Sequence, residues 1–406
     1  MDTKSGYPFW VLKNGLLPTY PQVDGDHRCE VAIIGGGITS ALIADELSRH
    51  GHDVIVIEQR DIGWGSTAAS TAMIQYEIDI SMSDLAKRYD ERIAALAYST
   101  CVSSVEELIA LCRDLRDVGF HRGDSVYLAS KARDLGQLHV EQDLRARYQL
   151  PSRYLEPAEL LERYAVTAPG ALVSHVAATL DPYRFTCRLF ARAHRRGVQI
   201  FDRTRVELAT RTSRTVTLRT DHGFEIRANH LIVAAGYEGQ RWLKHRVARN
   251  RSSYAFVSDP VTAAELSPMA NALLWETARP YHYVRTTTDH RVLVGGEDDA
   301  VDRPAVRDRR VHARAEALHR YVAKLLPELE LTRAFAWGGT FAETKDGLPF
   351  FGAHAQYGER VLFAMAYGGN GITYSRLGAG LLRSIIEKRE HPLREIYAFD
   401  RATRAR

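Results

Sequence analysis

The chain has 406 residues, of which 45% are hydrophobic and 26% are charged, and its formal net charge is +4 at pH 7. These proportions are typical of a soluble globular protein, and the length predicts either two domains or one large α/β body. A net charge this close to zero does not favour nucleic acid as a partner.

An irregular lead and a βαβ unit are predicted at the start of the chain. Residues 1–27 are rich in proline and aromatic side chains, which argues against regular secondary structure there. The unit that follows consists of a buried strand at 31–34, a helix at 41–47 and a second buried strand at 54–57. Gly35 and Gly37 separate the first strand from the helix, and Glu58 ends the second strand.

This order of residues is typical of a dinucleotide-binding unit. Gly35 permits the tight turn, and Gly37 lets a pyrophosphate approach the helix N-terminus, where free N–H groups and the helix dipole favour an anion. Glu58 lies 23 residues after Gly35, close to the roughly 20 expected, and it can accept hydrogen bonds from ribose hydroxyls while repelling a 2′-phosphate. Ser40 replaces the usual third glycine. By itself the unit leaves NAD and FAD as alternatives.

The rest of the chain alternates between helical and strand patterns. Helices are predicted at about 82–116, 131–147, 185–196 and 306–326, and strands at 119–129, 197–201, 214–220, 224–227, 231–236, 253–261 and 278–296. This pattern predicts two interleaved domains. The nucleotide-binding domain comprises residues 28–80, 160–250 and 335–395, and the second comprises residues 81–159 and 251–334.

The cysteines and the N-terminal residues bear on location. Four cysteines without Cys-x-x-Cys spacing favour reduced thiols in a cytoplasmic protein. The N-terminus lacks the basic and apolar regions of a signal peptide, and no apolar run reaches the roughly 18 residues of a membrane helix. Because no two histidines have the i, i+4 spacing of a helical zinc motif, no metal site is predicted.

Four separated segments resemble the D-amino-acid oxidase-like superfamily of FAD-dependent oxidoreductases. They are the glycine turn described above, residues 65–73, the strand that ends at Ala235 and Gly236, and Gly368-Gly-Asn-Gly371 before the last helix. In these motifs the chain is most similar to the γ-glutamylputrescine oxidase and glycine oxidase branches. The resemblance implies an α/β fold in which a Rossmann-like FAD-binding domain is interleaved with an antiparallel-sheet substrate domain.

The resemblance also implies which residues contact FAD. These are Gly35, Gly37, Ile38, Thr39, Ser40, Glu58, Gln59, Ser66, Thr67, Thr71, Ala72, Met73, Val206, Ala235, Gly236, Gly369, Asn370, Gly371, Ile372 and Thr373. Members that attach the flavin covalently use a cysteine, and this chain has none after Cys187, so FAD is expected to be bound non-covalently.

Departures from the family pattern bear on the substrate. Members that bind an amino-acid carboxylate usually carry an arginine just after the tryptophan-glycine segment, which here is Trp337-Gly-Gly-Thr340. The candidate substrate-side residues are Tyr254, Tyr283, Arg285, Trp337 and Tyr374. Aromatic walls suit an apolar or cationic amine, and an arginine could bind a remote carboxylate. Alternatively, the aromatic residues belong to an ordinary core strand, and Arg285 forms an ion pair at the surface.

The function implied is oxidation of the C–N bond of an amine or amino acid, with hydride transfer to flavin N5 giving an imine that water hydrolyses. Reoxidation would use O₂ or another electron acceptor. Leu293 stands where some members carry a lysine for O₂ activation, which favours a different acceptor. The alternative function is a flavoprotein subunit, or a nucleic-acid-modifying flavoprotein, that acts with a partner. The oligomeric state is left open.

Overall fold

A computed structural model describes residues 2–15, 19–300, 302–365 and 367–403. The helices are α1 Phe9–Asn14, α2 Ile38–Arg49, α3 Ser66–Ala69, α4 Met82–Arg88, α5 Glu91–Asp114, α6 Leu135–Arg147, α7 Pro157–Tyr164, α8 Pro182–Arg195, α9 Ala263–Leu266, α10 Pro304–Leu325 and α11 Gly371–Ile386. The strands are β1 Lys4–Gly6, β2 His27–Ile34, β3 Val54–Ile57, β4 Met73–Gln75, β5 His121–Leu128, β6 Arg153–Leu155, β7 Ala171–Thr179, β8 Gln199–Phe201, β9 Val206–Arg211, β10 Val216–Thr220, β11 Glu225–Val233, β12 Arg249–Ser258, β13 Ala272–Glu276, β14 Tyr283–Thr286, β15 Val292–Asp299, β16 Arg333–Glu343, β17 Phe350–Ala353 and β18 Val361–Met365.

An eight-stranded sheet carries the βαβ unit. Its order is β17-β18-β11-β2-β3-β8, and β10 and β9 continue from β11. The five strands from β18 to β8 pair in parallel, and every residue of Val54–Ile57 is buried, as expected for a strand covered on both faces. Helix α2 packs against α8 and α11. The sheet therefore holds the turn between β2 and α2 at the carboxyl ends of parallel strands.

A second sheet has ten strands in the order β1-β16-β12-β15-β14-β13-β5-β7-β4, with β6 beside β7. Its neighbouring strands are antiparallel except for β13 and β5, which run parallel. Helix α10 packs against β12, β15 and β16. The predicted α/β class with two interleaved sheets is confirmed, and the second sheet is mixed rather than purely antiparallel.

The two sheets alternate along the chain more finely than the predicted domain ranges. Strands β4, β7 and β16 lie inside the ranges predicted for the nucleotide-binding domain, yet all three belong to the ten-stranded sheet. Strand β7 pairs with both β4 and β5, and β16 pairs with β12, so the partners of these strands lie far away in sequence. Hydrophobic periodicity predicts a strand but does not identify its partner.

The N-terminal lead is more regular than predicted. Strand β1 pairs with β16, and helix α1 follows it. The side chains of Phe9 and Trp10 are buried, and the Trp10 indole N–H donates a hydrogen bond to the Ser70 carbonyl oxygen at 2.7 Å. Tertiary packing of this kind stabilises a helix that is too short to form alone.

Helix α5 is long and apolar enough to cross a membrane, with a mean hydropathy of 1.3 over an 18-residue window. The helix itself was predicted, but its capacity to cross a membrane was not, because the criterion was an uninterrupted apolar run, whereas α5 mixes apolar and small polar residues. Half of that window is buried inside the protein, where Tyr98, Cys101 and Val105 join the main hydrophobic core. The helix begins at Asp90, whose side chain accepts the Ile93 N–H at 2.8 Å. Its packing is that of a core helix.

Candidate active site

A cavity is lined by residues of both sheets and has an empty volume of about 2020 Å³, including its open mouth. We divide its lining into two regions. The nucleotide region comprises Gly35, Gly37, Glu58, Arg60, Val206 and Glu238. The substrate region comprises Gln75, Glu77, Asp79, Trp275, Tyr281, Tyr283 and Asp298. Of the predicted cofactor residues, all except Ser40 and Thr373 line the cavity.

The turn between β2 and α2 requires glycine at its first position. Gly35 has φ +117°, and a Cβ there would stand 2.4 Å from the Ala234 carbonyl oxygen. Gly37 precedes α2, and no side chain caps that helix. The Ile38 N–H donates to Thr67 Oγ1 at 3.0 Å. The open first turn and the helix dipole together form a site suited to an anion.

Ser40 stabilises this turn instead of lining the cavity. Its side chain is fully buried, and its hydroxyl donates to the Ala234 carbonyl oxygen at 3.4 Å. The serine at the third glycine position is therefore accommodated by a hydrogen bond to the neighbouring strand. The expectation that Ser40 contacts the cofactor is corrected to a role in packing α2 against β11.

Glu58 is held by backbone donors at the end of β3. Its carboxylate accepts the Gly36 N–H at 2.6 Å and the Arg60 N–H at 2.8 Å, and burial raises its pKa. Beside it, Glu238 accepts hydrogen bonds from the Gln59 amide at 3.0 Å and the Arg60 guanidinium at 2.8 Å. Sequence analysis missed Arg60 and Glu238, because Glu238 follows a strand that is remote in sequence.

The segment from Ser66 to Met73 forms a second wall. It contains the short helix α3, and Ala72 adopts φ 52°, an uncommon conformation for a residue with a side chain. The Ala72 N–H donates to the Ser70 hydroxyl at 3.1 Å. Ser66, Thr67, Thr71, Ala72 and Met73 line the cavity.

The loop before α11 closes the cavity from the C-terminal side. Asn370 precedes the helix, which no side chain caps, and its amide donates to the Glu77 carbonyl oxygen at 2.7 Å. The Gly369 N–H donates to the Asp79 carboxylate at 2.7 Å. Thr373 lies one step further into the helix and donates its hydroxyl to the Gln75 carbonyl oxygen at 2.9 Å. Thr373 therefore orients β4 and does not line the cavity, which corrects its predicted role.

The residues present fit the FAD that the resemblance implies. Two helix N-termini without side-chain caps, those of α2 and α11, border the cavity, and each suits negative charge. The buried Gln75 Oε1 atom, which lines the same cavity, has no donor among the described residues. Glu58 and the turn glycines would hold the adenosine and pyrophosphate parts of such a molecule, and the loop at 369–372 would meet its flavin.

Three of the predicted substrate-side residues, Tyr254, Tyr283 and Trp337, line the cavity through their positions in the ten-stranded sheet. Tyr283 is on β14, and burial raises its pKa to about 12. Trp337 is on β16, is 1% exposed, and donates its indole N–H to the Ala69 carbonyl oxygen at 2.9 Å. Trp337 therefore supports the 66–73 segment as well as bordering the cavity.

Tyr254 also has partners within the protein, whereas the other two candidates, Tyr374 and Arg285, do not line the cavity. The Tyr254 ring packs with Phe256 on the α10 side of the sheet, and its hydroxyl donates to Asp299 at 2.8 Å. Tyr374 is 1% exposed, does not line the cavity, and its hydroxyl has no partner among the described residues. The expected substrate contact of Tyr254 stays a prediction, whereas the placement of Tyr374 outside the cavity lining does not support a substrate contact for that residue.

Arg285 shares a face of β14 with Tyr283 but lies beyond the cavity. It donates to the carbonyl oxygens of Thr71 at 2.5 Å and Leu180 at 3.1 Å, and its guanidinium stands 5.1 Å from the centre of the Trp10 ring. Burial lowers its pKa to about 9. The Thr71 segment covers this part of the strand, so the expectation that Arg285 binds a substrate carboxylate is wrong.

None of the three acidic side chains of the substrate region, Glu77, Asp79 and Asp298, was predicted from sequence. Gln75, Glu77 and Asp79 continue from Met73 at every second position, a spacing that places side chains on one face of an extended chain. That alternation was available from sequence. Asp298 had no such signal, because it reaches the cavity only through the pairing of β15 with β12 and β14.

Comparison with known proteins gives a family and a fold. The family described as "FAD dependent oxidoreductase" (DAO) matches residues 30–384. Glycine oxidase of Geobacillus kaustophilus is 28% identical over 377 residues, which cover 90% of this chain and 94% of the relative. Gamma-glutamylputrescine oxidoreductase of Escherichia coli is 22% identical, with 88% of this chain and 83% of the relative covered.

Two solved structures share the architecture. The glycine oxidase of Geobacillus kaustophilus has a TM-score of 0.76 at 22% identity and covers 90% of this chain and 96% of that one. The L-proline dehydrogenase of P. horikoshii has a TM-score of 0.78 at 18% identity and covers 93% and 99%. The turn of Gly35, the uncapped helices and the 30–384 match agree, and the chain belongs to the DAO family of FAD-dependent oxidoreductases.

Proposed function

We propose that this protein uses FAD to oxidise the C–N bond of an amine that carries no carboxylate on its reacting carbon. The observation that carries the proposal is the placement of Arg285, which is buried beneath Thr71 and donates to carbonyl oxygens. At the position after Trp337-Gly-Gly, the Thr340 hydroxyl donates to Asp302 at 3.0 Å. Among the described residues, a carboxylate on the reacting carbon would therefore find no unpaired guanidinium at either place, since Arg307, which donates to the Thr340 hydroxyl at 2.8 Å, is paired with Asp302 at 3.0 Å.

The arginines that do line the cavity have other partners. Arg60 and Arg241 pair with Glu238 in the nucleotide region, at 2.8 Å and 3.7 Å. Arg279 lies in an exposed position, with its guanidinium 5.3 Å from the centre of the Tyr281 ring, and donates to the Ala278 carbonyl oxygen at 2.9 Å. These contacts support an amine substrate over an α-amino acid.

Aromatic rings form the wall that would meet the amine. The Tyr281 ring centre lies 5.8 Å from that of Tyr283 and 6.3 Å from that of Trp275. Such rings exclude water and attract a cation over their faces. Exclusion of water lowers the pKa of a bound ammonium, and we propose that this effect outweighs the attraction to the ring faces, so that the neutral amine needed for oxidation forms without a dedicated base.

FAD, when bound, supplies the acceptor for the hydride that leaves the carbon next to the amine nitrogen. The role of the cavity walls is to orient that carbon and to keep water away while the nitrogen electron pair forms the C=N bond. Water then adds to the released imine to give a carbonyl compound and ammonia or a smaller amine. Leu293, at the position of the lysine expected for O₂ activation, is fully buried, which supports an acceptor other than O₂.

The names of the relatives support this reaction class. A glycine oxidase, a gamma-glutamylputrescine oxidoreductase and an L-proline dehydrogenase each take their name from an amino acid or an amine.

The test is anaerobic reduction of the purified yellow protein, which is monitored as the loss of flavin absorbance. The panel is alkylamines, N-methylamines, and D- and L-amino acids of matched chain length, with free FAD as the control. We expect amines to bleach the flavin and the matched amino acids to be slower. Rapid bleaching by amino acids alone would overturn the proposal. No bleaching by any compound would favour the alternative of a flavoprotein that works with a partner protein.

A further inference from the structure

Three carboxylates of the substrate region, Glu77, Asp79 and Asp298, form what we call the acidic wall. All three line the cavity together with Tyr281. The Tyr281 hydroxyl donates to Asp79 Oδ1 at 3.3 Å, and Asp79 Oδ2 accepts the Gly369 N–H at 2.7 Å. The C–N chemistry proposed above does not need this much negative charge.

Several oxygens of this region lack donors. Glu77 Oε2, Gln75 Oε1 and Asp298 Oδ1 are buried and have no hydrogen-bond partner among the described residues. Glu77 is 1% exposed and Gln75 is 6% exposed, so ordinary bulk solvation does not reach these side chains. Leaving a buried acceptor unpaired is costly, which indicates that a ligand with several donors belongs there.

Protein cations offset the acidic wall only in part. Arg145 lies 3.5 Å from Glu77 but 2.9 Å from Glu141, which is the closer partner. For Asp298, burial raises the pKa to about 6, and the nearby carboxylates of Asp79 and Glu343 act in the same direction. Burial also raises the pKa of Glu77 and of Asp79, so a cation bound between the three carboxylates would favour their ionised forms.

We propose that the acidic wall binds a second ammonium group of the substrate, so that the preferred substrate is a diamine or polyamine. This inference rests on the proposed amine oxidation. An ammonium has three donors and no acceptor, which matches a set of unpaired acceptor oxygens. The reacting nitrogen then sits against the aromatic rings in its neutral form, while the remote nitrogen stays protonated against Asp79, Asp298 and Glu77.

A carboxylate at the far end of the substrate is the competing possibility. It would be repelled by the acidic wall and would have to bind the exposed Arg279 instead. The two cases make opposite predictions for substrates of equal length that differ only in the charge of the remote end.

The first experiment compares butane-1,4-diamine, butylamine and 4-aminobutanoate as anaerobic reductants of the FAD-loaded protein. We expect the second-order rate constant of flavin reduction to be higher for the diamine than for butylamine by about tenfold or more, and 4-aminobutanoate to be the poorest reductant. Equal values for diamine and butylamine, with both oxidised, would overturn this inference and leave the proposed function standing. A preference for 4-aminobutanoate would overturn it in favour of Arg279.

The second experiment measures binding without turnover. An amine whose neighbouring carbon bears no hydrogen cannot be oxidised to an imine but keeps its N–H donors, so 2,5-dimethylhexane-2,5-diamine and 2,5-dimethylhexan-2-amine serve as unreactive probes in calorimetry. We expect the dication to bind more tightly by about tenfold. Failure of all amines to reduce flavin, with this preference retained, would overturn the proposed function but not the dication site.

Matched variants assign the effect to the wall. Asp298→Asn removes one charge with little change in shape, and we expect it to lower the diamine-to-butylamine ratio by about tenfold. Asp299→Asn is the control, since the neighbouring Asp299 faces away and accepts from Tyr254 and Arg314. It should leave the ratio unchanged. A ratio unaffected by Asp298→Asn, or equally lowered by both variants, would contradict the assignment.

Discussion

The nucleotide and substrate regions of the cavity are built in different ways. The nucleotide region relies mainly on backbone N–H groups and on residues close together in sequence, from Gly35 to Arg60, to which Val206 and Glu238 are added from remote parts of the chain. The substrate region relies on side-chain oxygens and aromatic rings from β4, β14 and β15, which lie some 200 residues apart in the chain. A local motif can therefore define the first region, whereas only tertiary pairing brings the second together.

The largest effect is expected at Gly35. Gly35→Ala places a Cβ 2.4 Å from a backbone oxygen at φ +117°, so the free energy of unfolding should fall by about 2–5 kcal/mol. In the control Gly37→Ala, the new Cβ meets only Thr67 Oγ1 at 3.1 Å, so stability should hold while FAD affinity falls. Urea unfolding and FAD titration of the apoprotein separate the two effects. Equal loss of stability in both variants would contradict the distinction.

Loss of the acid at the end of β3 tests the nucleotide region directly. Glu58→Ala removes an acceptor for two backbone N–H groups and for the expected ribose, so the Kd for FAD should rise about 10- to 100-fold. Quenching of FAD fluorescence on titration measures this. Glu58→Gln keeps one acceptor oxygen and should be intermediate; unchanged affinity in Glu58→Ala would mean that the ribose contact is misplaced.

Substitution of Arg285 tests whether its side chain lies outside the substrate region. Arg285→Met leaves the carbonyl oxygens of Thr71 and Leu180 without donors, so the free energy of unfolding should fall by about 2–4 kcal/mol. The KM for amines should change by less than about threefold, because the guanidinium lies outside the cavity. Thermal unfolding and steady-state kinetics measure the two. A large rise in KM with unchanged stability would return Arg285 to the substrate site.

Asp298 should show a pH dependence of stability. Its pKa is raised to about 6 in the folded protein from the usual 3.8, so the ionised carboxylate costs stability above that pH. Asp298→Asn should therefore be more stable than the natural protein at pH 8 by about 1–3 kcal/mol, and the gain should vanish as the pH falls through 6 towards 4. Unfolding temperatures at pH 8 and pH 5 test this. A gain independent of pH would have another cause.

The smallest effect is expected at Tyr374. Its hydroxyl is buried and has no partner among the described residues, so Tyr374→Phe should change stability by less than about 0.5 kcal/mol. Flavin reduction by amines should be unchanged, because the ring does not line the cavity. Reduction slowed severalfold, without loss of stability, would show that this hydroxyl reaches the substrate after all.

The sequence predicted the nucleotide region well for physical reasons. A tight turn and a helix N-terminus depend on neighbours in the chain, so Gly35, Gly37 and Glu58 could be identified from spacing. Ser40 and Thr373 were predicted to contact the cofactor, but their hydroxyls donate to backbone carbonyl oxygens of neighbouring segments. Spacing does not tell which side of a helix faces a neighbouring strand.

The substrate region was predicted less well. Alternation along β14 correctly put Tyr283 and Arg285 on one face, but it could not show that the Thr71 segment covers the second of them. Asp298 gave no signal, because its place beside Asp79 depends on strand pairings that no local pattern encodes. Side chains from remote strands meet only when the whole sheet is assembled.

The pairing of β1 with β16 gives the start of the chain a part in the cavity. Thr3 lines it, and the Trp10 indole bonds to Ser70 beside the 66–73 segment. Proteolytic removal of about the first ten residues would therefore remove part of the lining of the cavity proposed to hold FAD. The cleaved protein should lose its yellow colour before it loses its far-ultraviolet circular dichroism. In tagged or fused forms of the protein, strand β1 and helix α1 are therefore the elements to leave undisturbed.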